Sequence, residues 1–336
     1  MKISVIGKQF SDSLAHNLSF TLKQMGMEVQ EIDEDRAFER IPFRRRLRSI
    51  FAIAESHPRL LAVRDRLIHR ELAQFKPHIV LNTYRDWGPR AIARARDVLG
   101  RTAKIAFLYP DAFANLARMF PLGADYDALF FKDPFGVDMF RSRLGLNAHY
   151  LPEACNPSWH FPVELTPEDR ARYGCDLTTA GNMYYYRARL LSIFEGYDLK
   201  LYGPPLPKWL ESPLRANYTH VYVSEVEKSK AFRAAKITIN TLHPTEILGV
   251  NVRAFEAAGC GAFQIADWRP EMETMFRIDE EIVVYRSRDE LKEKVDYYLS
   301  RPEQRAKIAE AGCRRAHGEH TYRHRLEHAL KIVDGC

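Results

Sequence analysis

The sequence predicts an α/β chain made of two doubly wound domains, and three observations carry that prediction. The chain has 336 residues, about two domains at roughly 100–200 residues each. Short apolar runs of strand length alternate with helical patterns from end to end, as in parallel sheets covered on both faces. A proline-rich stretch from Pro152 to Pro167 separates two series of such units and places a joint near residues 152–170. A first domain over 1–152, a second over 153–318 and a final helical segment over 319–336 follow. The composition is 46% hydrophobic and 28% charged, ordinary globular usage that excludes a disordered or fibrous chain.

In the first series the apolar runs predict strands at 3–6, 28–32, 78–82, 104–109, 128–131 and 148–151. Helical periodicity falls at 13–26, 58–75, 88–98 and 134–144. The second series predicts strands at 176–180, 199–202, 220–223, 237–240, 262–265 and 282–285. Its helices carry start signals: Ser224 with Glu227, Ser287 with Glu290 and Ser300 with Glu303 fit capping boxes. Pro302 suits a first helical turn, and Thr321 can cap a last helix running to about Val333. Ligands of such sheets gather beyond the carboxyl ends of the strands, which points to a cleft between the domains.

The net charge of +6 is concentrated. Residues 36–70 hold ten arginines against Glu39, Glu55 and Asp65, so this segment alone is +7 and the rest nearly neutral. The expected readings are a solvated helical face, a surface for anionic lipid or a lipid-linked acceptor, and contact with an acidic polymer. Ile41, Phe43, Leu47, Ile50 and Phe51 would give the stretch one apolar face. A nucleic-acid partner is not expected, because the charge is neither spread nor interleaved with aromatic platforms. Five dispersed cysteines without a C-x-x-C pair argue against a disulfide framework and a zinc site. No run reaches the roughly 18 apolar residues of a membrane span, and the N-terminal apolar run is too short for a signal peptide. A cytoplasmic protein, peripheral at most to the inner face of the membrane, is the expectation.

The first βα turn, Gly7 to Asp12, lacks G-x-G-x-x-G, and no P-loop or G-x-S-x-G occurs. Asp125-Tyr126-Asp127 forms a D-x-D but precedes a strand, and reads as a solvated turn with no metal. In the second half the informative residues follow strands: Gly181-Asn182, Gly203-Pro204-Pro205, Asn240 to His243, and Gly249 to Gly261. Residues 251–259 read as a short helix whose open N–H groups favour an anion, with Asn251 as cap. Arg253 can fork onto phosphate oxygens. Glu256, three residues on, can accept two hydrogen bonds from a ribose diol. Together these describe a nucleoside-diphosphate pocket; an ordinary helix with an Arg253–Glu256 surface pair is the plain alternative.

These residues resemble the C-terminal domain of GT-B glycosyltransferases, specifically the CgeB-like (spore-maturation-type) family. The matching stretches are Leu151 to Pro157, Thr179 to Met183 with Arg187, Leu201-Tyr-Gly203, Ile239 to His243, Gly249 to Glu256 and Glu319-His-Thr-Tyr322. The first half is similar more loosely, through Met1 to Gly7, Ser11-Asp12 and Tyr109-Pro-Asp111. The resemblance implies a GT-B fold, two Rossmann-like domains facing a central cleft. It implies transfer of a sugar from a nucleoside-diphosphate donor, a UDP or dTDP sugar, held by the second domain. A glycan, lipid-linked or protein acceptor would sit on the first, and the last helix would cross back to it. No cofactor and no metal are implied, since helix dipole and arginine act on the leaving diphosphate. The implied donor set is Gly181, Asn182, Arg187, Tyr202, Gly203, Tyr222, Val223, His243, Asn251, Arg253 and Glu256. In it Arg187 and Arg253 face the diphosphate, Glu256 the ribose, His243 the sugar or diphosphate, and the backbone of Tyr222 and Val223 the base.

Many retaining GT-B enzymes carry a second glutamate eight positions before the ribose-binding one. Here Leu248 stands there, with Glu246 nearby, so inverting chemistry is the expectation. Inversion needs a base to deprotonate the acceptor. Asp111, after a strand end, ranks first and Asp12, in the first βα loop, second, with helix capping as the alternative role of each. His16 and Asp86 are weaker candidates. A GT-B-fold nucleotide-sugar epimerase and a non-catalytic nucleotide-sugar-binding or coat-assembly protein are the alternatives to transfer.

Overall fold

The computed structural model describes residues 1–33, 58–83, 87–204 and 206–336. They divide into two compact units, Met1–Leu151 with Leu326–Cys336, and Pro152–Arg325. The proposed base Asp86 and residues 36–57 of the arginine-rich segment lie outside the described residues, as does Pro205.

The first unit is built on six parallel strands: β1 (Lys2–Gly7), β2 (Glu28–Asp33), β3 (Ile79–Thr83), β4 (Lys104–Tyr109), β5 (Ala128–Phe131) and β6 (Ala148–Tyr150). Their order is β2-β1-β3-β4-β5-β6. The central strands are buried almost throughout, which is why they read as unbroken apolar runs. Helices Leu14–Gln24, Pro58–Phe75, Pro89–Leu99 and Pro134–Leu144 connect them. Three of the four open on proline, whose missing N–H would find no partner there anyway. Trp87 is fully buried, its indole N–H donating to Asp65 at 3.1 Å.

Two surface readings change here. Arg66 and Arg70 are exposed, but Arg64 is buried, so helix Pro58–Phe75 does not keep all its arginines in water. The D-x-D is not a solvated turn either. Asp125 is exposed and Tyr126 buried, while Asp127 Oδ2 accepts from Arg96 Nη2 and from the Ile105 N–H, both at 2.6 Å. Asp127 anchors the start of β4, with its carboxylate oxygen committed to that role.

The second unit carries five parallel strands, β7 (Cys175–Ala180), β8 (Leu199–Tyr202), β9 (Ala235–Asn240), β10 (Gln264–Asp267) and β11 (Val283–Tyr285). Their order is β11-β10-β9-β7-β8. The strand predicted at 220–223 is absent. Only Leu201 bridges Tyr218, and His220 takes φ +56°, a left-handed turn that no extended strand accommodates. β7 lies between β8 and β9, so successive connections leave it in opposite directions. The sheet's topological switch point is therefore at the carboxyl ends of β7 and β9.

Of the three predicted capping boxes, Ser287 accepts from the Glu290 N–H at 3.1 Å. Ser224 makes no side-chain cap bond, and Arg301 rather than Ser300 precedes helix Pro302–Glu319. A full reciprocal box stands instead at Thr166 and Asp169.

The Glu319–Tyr322 motif has a structural meaning. Cys155 N–H donates to His320 O at 2.9 Å and Tyr322 N–H to Cys155 O at 3.1 Å, tying residue 155 to the junction of the last two helices. His320 sits between Phe255 and Phe276, accepts from Arg325 Nη2 at 2.9 Å and donates to Met275 O at 2.8 Å. The final helix, Tyr322–Asp334, groups with the first unit from Leu326 onward.

Burial, reinforced by the Arg325 charge, lowers the His320 pKa from 6.5 to about 4. The unfolded chain therefore binds a proton that the folded chain refuses, and stability falls as pH drops from about 6.5 to 4. Wild type is expected to lose roughly 2–3 kcal/mol between pH 7 and 4.5 that His320→Gln does not. Urea unfolding of both proteins at the two pH values checks this; parallel losses would contradict it.

Candidate functional site

The carboxyl edge of the second sheet brings two arginines to the switch point. Arg187 comes from helix Tyr185–Leu191, after β7, and Arg253 from helix Val252–Gly259, after β9. Both are buried. Arg187 Nε donates to Thr241 Oγ1 at 2.7 Å, Nη2 to Thr241 O at 3.4 Å, and Nη1 to Asn182 O. Arg253 Nη1 donates to Asn240 Oδ1 at 3.1 Å and Thr241 O at 3.4 Å. Every one of these acceptors is neutral. The Nε and Nη2 groups of Arg253 have no acceptor among the described residues.

Burial lowers the pKa of both groups. For Arg253 it reaches about 9, with the neighbouring Arg187 charge as second cause and Glu256, Tyr184 and Glu246 opposing. A guanidinium holds its proton in proteins, so the site carries two cations. Leaving two like charges desolvated costs several kcal/mol, of the order of ~3 per ion, and a bound anion removes that cost.

The backbone is shaped for the pair. Gly181 has φ +127°, and a Cβ there would stand 2.4 Å from Arg253 Nη2 and 3.2 Å from Arg187 Nη1. A Cβ on Gly203 would stand 2.4 Å from Gly181 O. These strand-end glycines allow the close approach that larger residues would block.

Asn251 caps its helix as the sequence suggests, accepting from Ala254 N–H at 3.3 Å. It also exchanges amide hydrogen bonds with Asn240, at 2.9 and 3.0 Å. Its side chain thus positions Asn240, which holds Arg253. His243 Nδ1 is engaged by Thr245 Oγ1 at 2.6 Å, and its ring lies against Tyr184. Its Nε2 has no partner among the described residues. Glu256 is not a surface partner of Arg253. It is 5% exposed and meets Lys228 Nζ at 2.6 Å through Oε1.

Three predicted donor residues are placed differently. The Tyr202 side chain is buried in the core beside Tyr173 and Phe232, and only its carbonyl reaches the edge, accepting from Gly181 N–H at 2.9 Å. Tyr222 and Val223 lie in an irregular segment rather than at a strand end. Tyr222 is exposed and Val223 belongs to the same core as Tyr202. Thr241, Lys228 and Glu246 complete the site without having been singled out as ligands. Glu246 is buried and its charge acts on both arginines.

In the first unit the proposed bases occupy strand-end turns. Asp111 follows β4, and its carboxylate accepts from Ala112 N–H at 2.8 Å and Asn115 Nδ2 at 3.0 Å. Asp12 has φ +66° and precedes Ser13, which caps helix Leu14–Gln24 by accepting from His16 N–H. Capping thus falls to Ser13, while Asp111 does hold a local turn.

The whole chain aligns with several solved structures at low sequence identity. It superposes on a sucrose-phosphate synthase from Thermosynechococcus elongatus with TM-score 0.69, 11% identity, and 100% and 98% of the two chains covered. Anabaena HepE, solved with UDP and glucose, gives TM-score 0.64, 9% identity and full coverage of both chains. The fold is GT-B. A glycosyltransferase from Rickettsia africae aligns at TM-score 0.65 and 13% identity, covering 99% and 98%. By sequence, residues 187–331 match the family model of glycosyl transferase-like domains, and that stretch includes both Arg187 and Arg253. No curated protein matches the chain by sequence.

Arg253→Met keeps the volume and removes one buried charge. Asn240 Oδ1 and Thr241 O still accept from Asn251 and Arg187. The unliganded variant is expected to be as stable as wild type or up to about 2 kcal/mol more so, while losing anion binding. Thermal melts with and without pyrophosphate check both; a destabilised variant that still binds pyrophosphate would contradict the site.

Proposed function

We propose that this chain is a glycosyltransferase that takes its sugar from a nucleoside-diphosphate donor, bound at the switch point of the second unit. The observation that carries the reading is the buried Arg187–Arg253 pair, hydrogen-bonded only to neutral acceptors among the described residues. A diphosphate supplies the missing negative charge, and charge on it grows as the glycosidic bond breaks. The arginines and the N-terminus of helix Val252–Gly259 then stabilise the leaving group more than the ground state. That is the task a divalent cation performs in other transferases, so we propose metal-independent transfer. Asp127, held by Arg96 and Ile105, supports this by being committed elsewhere. The CgeB-like reading within this class rests on the motif set of the sequence.

A panel of UDP, dTDP, GDP, CDP and ADP tests the donor. One member at 100 times its dissociation constant is expected to stabilise the protein by about 2.7 kcal/mol. Glu256→Ala is expected to weaken that ligand by about 1–3 kcal/mol, the scale of a charge-assisted hydrogen bond. No shift with any diphosphate would sink the reading.

For the chemistry we propose inversion, because Leu248 stands where a second carboxylate is found in many retaining enzymes. Asp111 is the proposed base, with Asp12 second. Asp111→Asn keeps the side-chain shape and removes the proton acceptor. Turnover is expected to fall 10²–10⁴-fold, about 3–5 kcal/mol in the barrier, with donor affinity unchanged and full wild-type activity in excess EDTA. Turnover and donor titration on the same Asp111→Asn and Asp12→Asn preparations check this. Near wild-type rates in both would remove the two candidates, and a product that keeps the donor's anomeric configuration would remove inversion. In that event buried Glu246 becomes the carboxylate to examine.

A further inference from the structure

The pairing of Glu256 with Lys228 assigns a role to a residue that the donor site does not otherwise use. Lys228 lies on helix Glu225–Ala234, directly after the irregular 219–224 segment. It is 7% exposed and Glu256 5%. Its Nζ stands 2.6 Å from Glu256 Oε1, and His160 Nε2 stands 3.8 Å from the same oxygen. The other oxygen, Oε2, has no partner among the described residues. Oε2 is not among the buried side-chain atoms that lack a partner, so the oxygen without a donor stays open while its twin is tightly held. The charge of Glu256 also reaches Arg253, one helical turn away.

We propose that Lys228 is the positioning residue of the donor site. By occupying Oε1 it fixes the Glu256 carboxylate in one orientation, so that Oε2 is presented to a vicinal diol of the nucleotide's ribose. This rests on the donor reading above and deepens it: the selectivity for a ribose-bearing ligand is set from behind by a cation that does not touch the ligand. A lysine suits the task better than an arginine, because one ammonium takes one oxygen whereas a guanidinium forks across both.

The test compares UDP, GDP, CDP and ADP, each against its 2′,3′-dideoxy counterpart, by titration calorimetry on wild type and Lys228→Met. In wild type, removing the ribose hydroxyls is expected to weaken the bound diphosphate about 10–100-fold. In K228M that ratio should fall below about threefold, while the dideoxy ligand binds both proteins alike. A merely structural lysine would weaken both ligands equally and leave the ratio unchanged, which overturns the proposal. Should K228M not fold, Lys228→Gln keeps an N–H donor without the charge, and its ratio is expected to drop at least threefold. Glu256→Gln separates the two levels of inference. If its ratio collapses while K228M and K228Q keep theirs, the ribose assignment stands and the positioning role fails. If no diphosphate binds wild type, the donor reading fails and takes this one with it.

Discussion

Two guanidinium groups buried side by side, neither hydrogen-bonded to a carboxylate among the described residues, are the constraint on which the second unit's functional edge depends. Such a pair is unfavourable on its own. It is tolerated because the surrounding polar groups are arranged in advance. Thr241 offers its hydroxyl and carbonyl to Arg187 and its carbonyl to Arg253. Asn240 holds Arg253, and Asn251 holds Asn240 while capping the helix that carries Arg253. The charge that this network leaves uncompensated is the binding energy available to an anion.

Sheet topology puts these parts in one place. In the order β11-β10-β9-β7-β8 the chain leaves β7 toward one edge and returns beside it as β9. The loops that follow their carboxyl ends carry the polar residues. Gly181 keeps the loop after β7 low enough for both guanidiniums to pass, and Gly203 lets the next strand end pack against it. Topology, backbone permissiveness and buried charge therefore converge on one site.

Much of this was legible in the sequence. All eleven strands of the described residues and the long helices follow from apolar runs and periodicity, because parallel strands buried on both faces leave unbroken hydrophobic words. Arg187, Arg253 and the Asn251 cap were legible because charge and capping chemistry stand out at strand ends. What failed did so for physical reasons. His-Val-Tyr-Val at 220–223 has strand composition, but the left-handed backbone at His220 is not encoded by propensity. Tyr202 ends a strand, and which face its side chain takes depends on a register that local sequence does not set. Thr241 is small and uncharged, so nothing in its identity announces that it holds Arg187.

At Glu256 the structure decides against the plain alternative. The i, i+3 spacing to Arg253 suggested a surface pair, yet both side chains are buried and the carboxylate turns to Lys228, 28 positions earlier. Had Glu256 neutralised Arg253 directly, the arginine pair would have lost part of the charge that attracts a diphosphate. With Lys228 as its partner, the Glu256 carboxylate is held at 2.6 Å by an ammonium and by neither guanidinium directly. On the donor reading proposed above, the two halves of a nucleoside diphosphate are met by groups of opposite sign, arginines for the phosphates and a carboxylate for the ribose, one helical turn apart. On that reading, separating those charges inside a desolvated site calls for a further cation behind the carboxylate, and the buried Lys228 ammonium stands 2.6 Å from it.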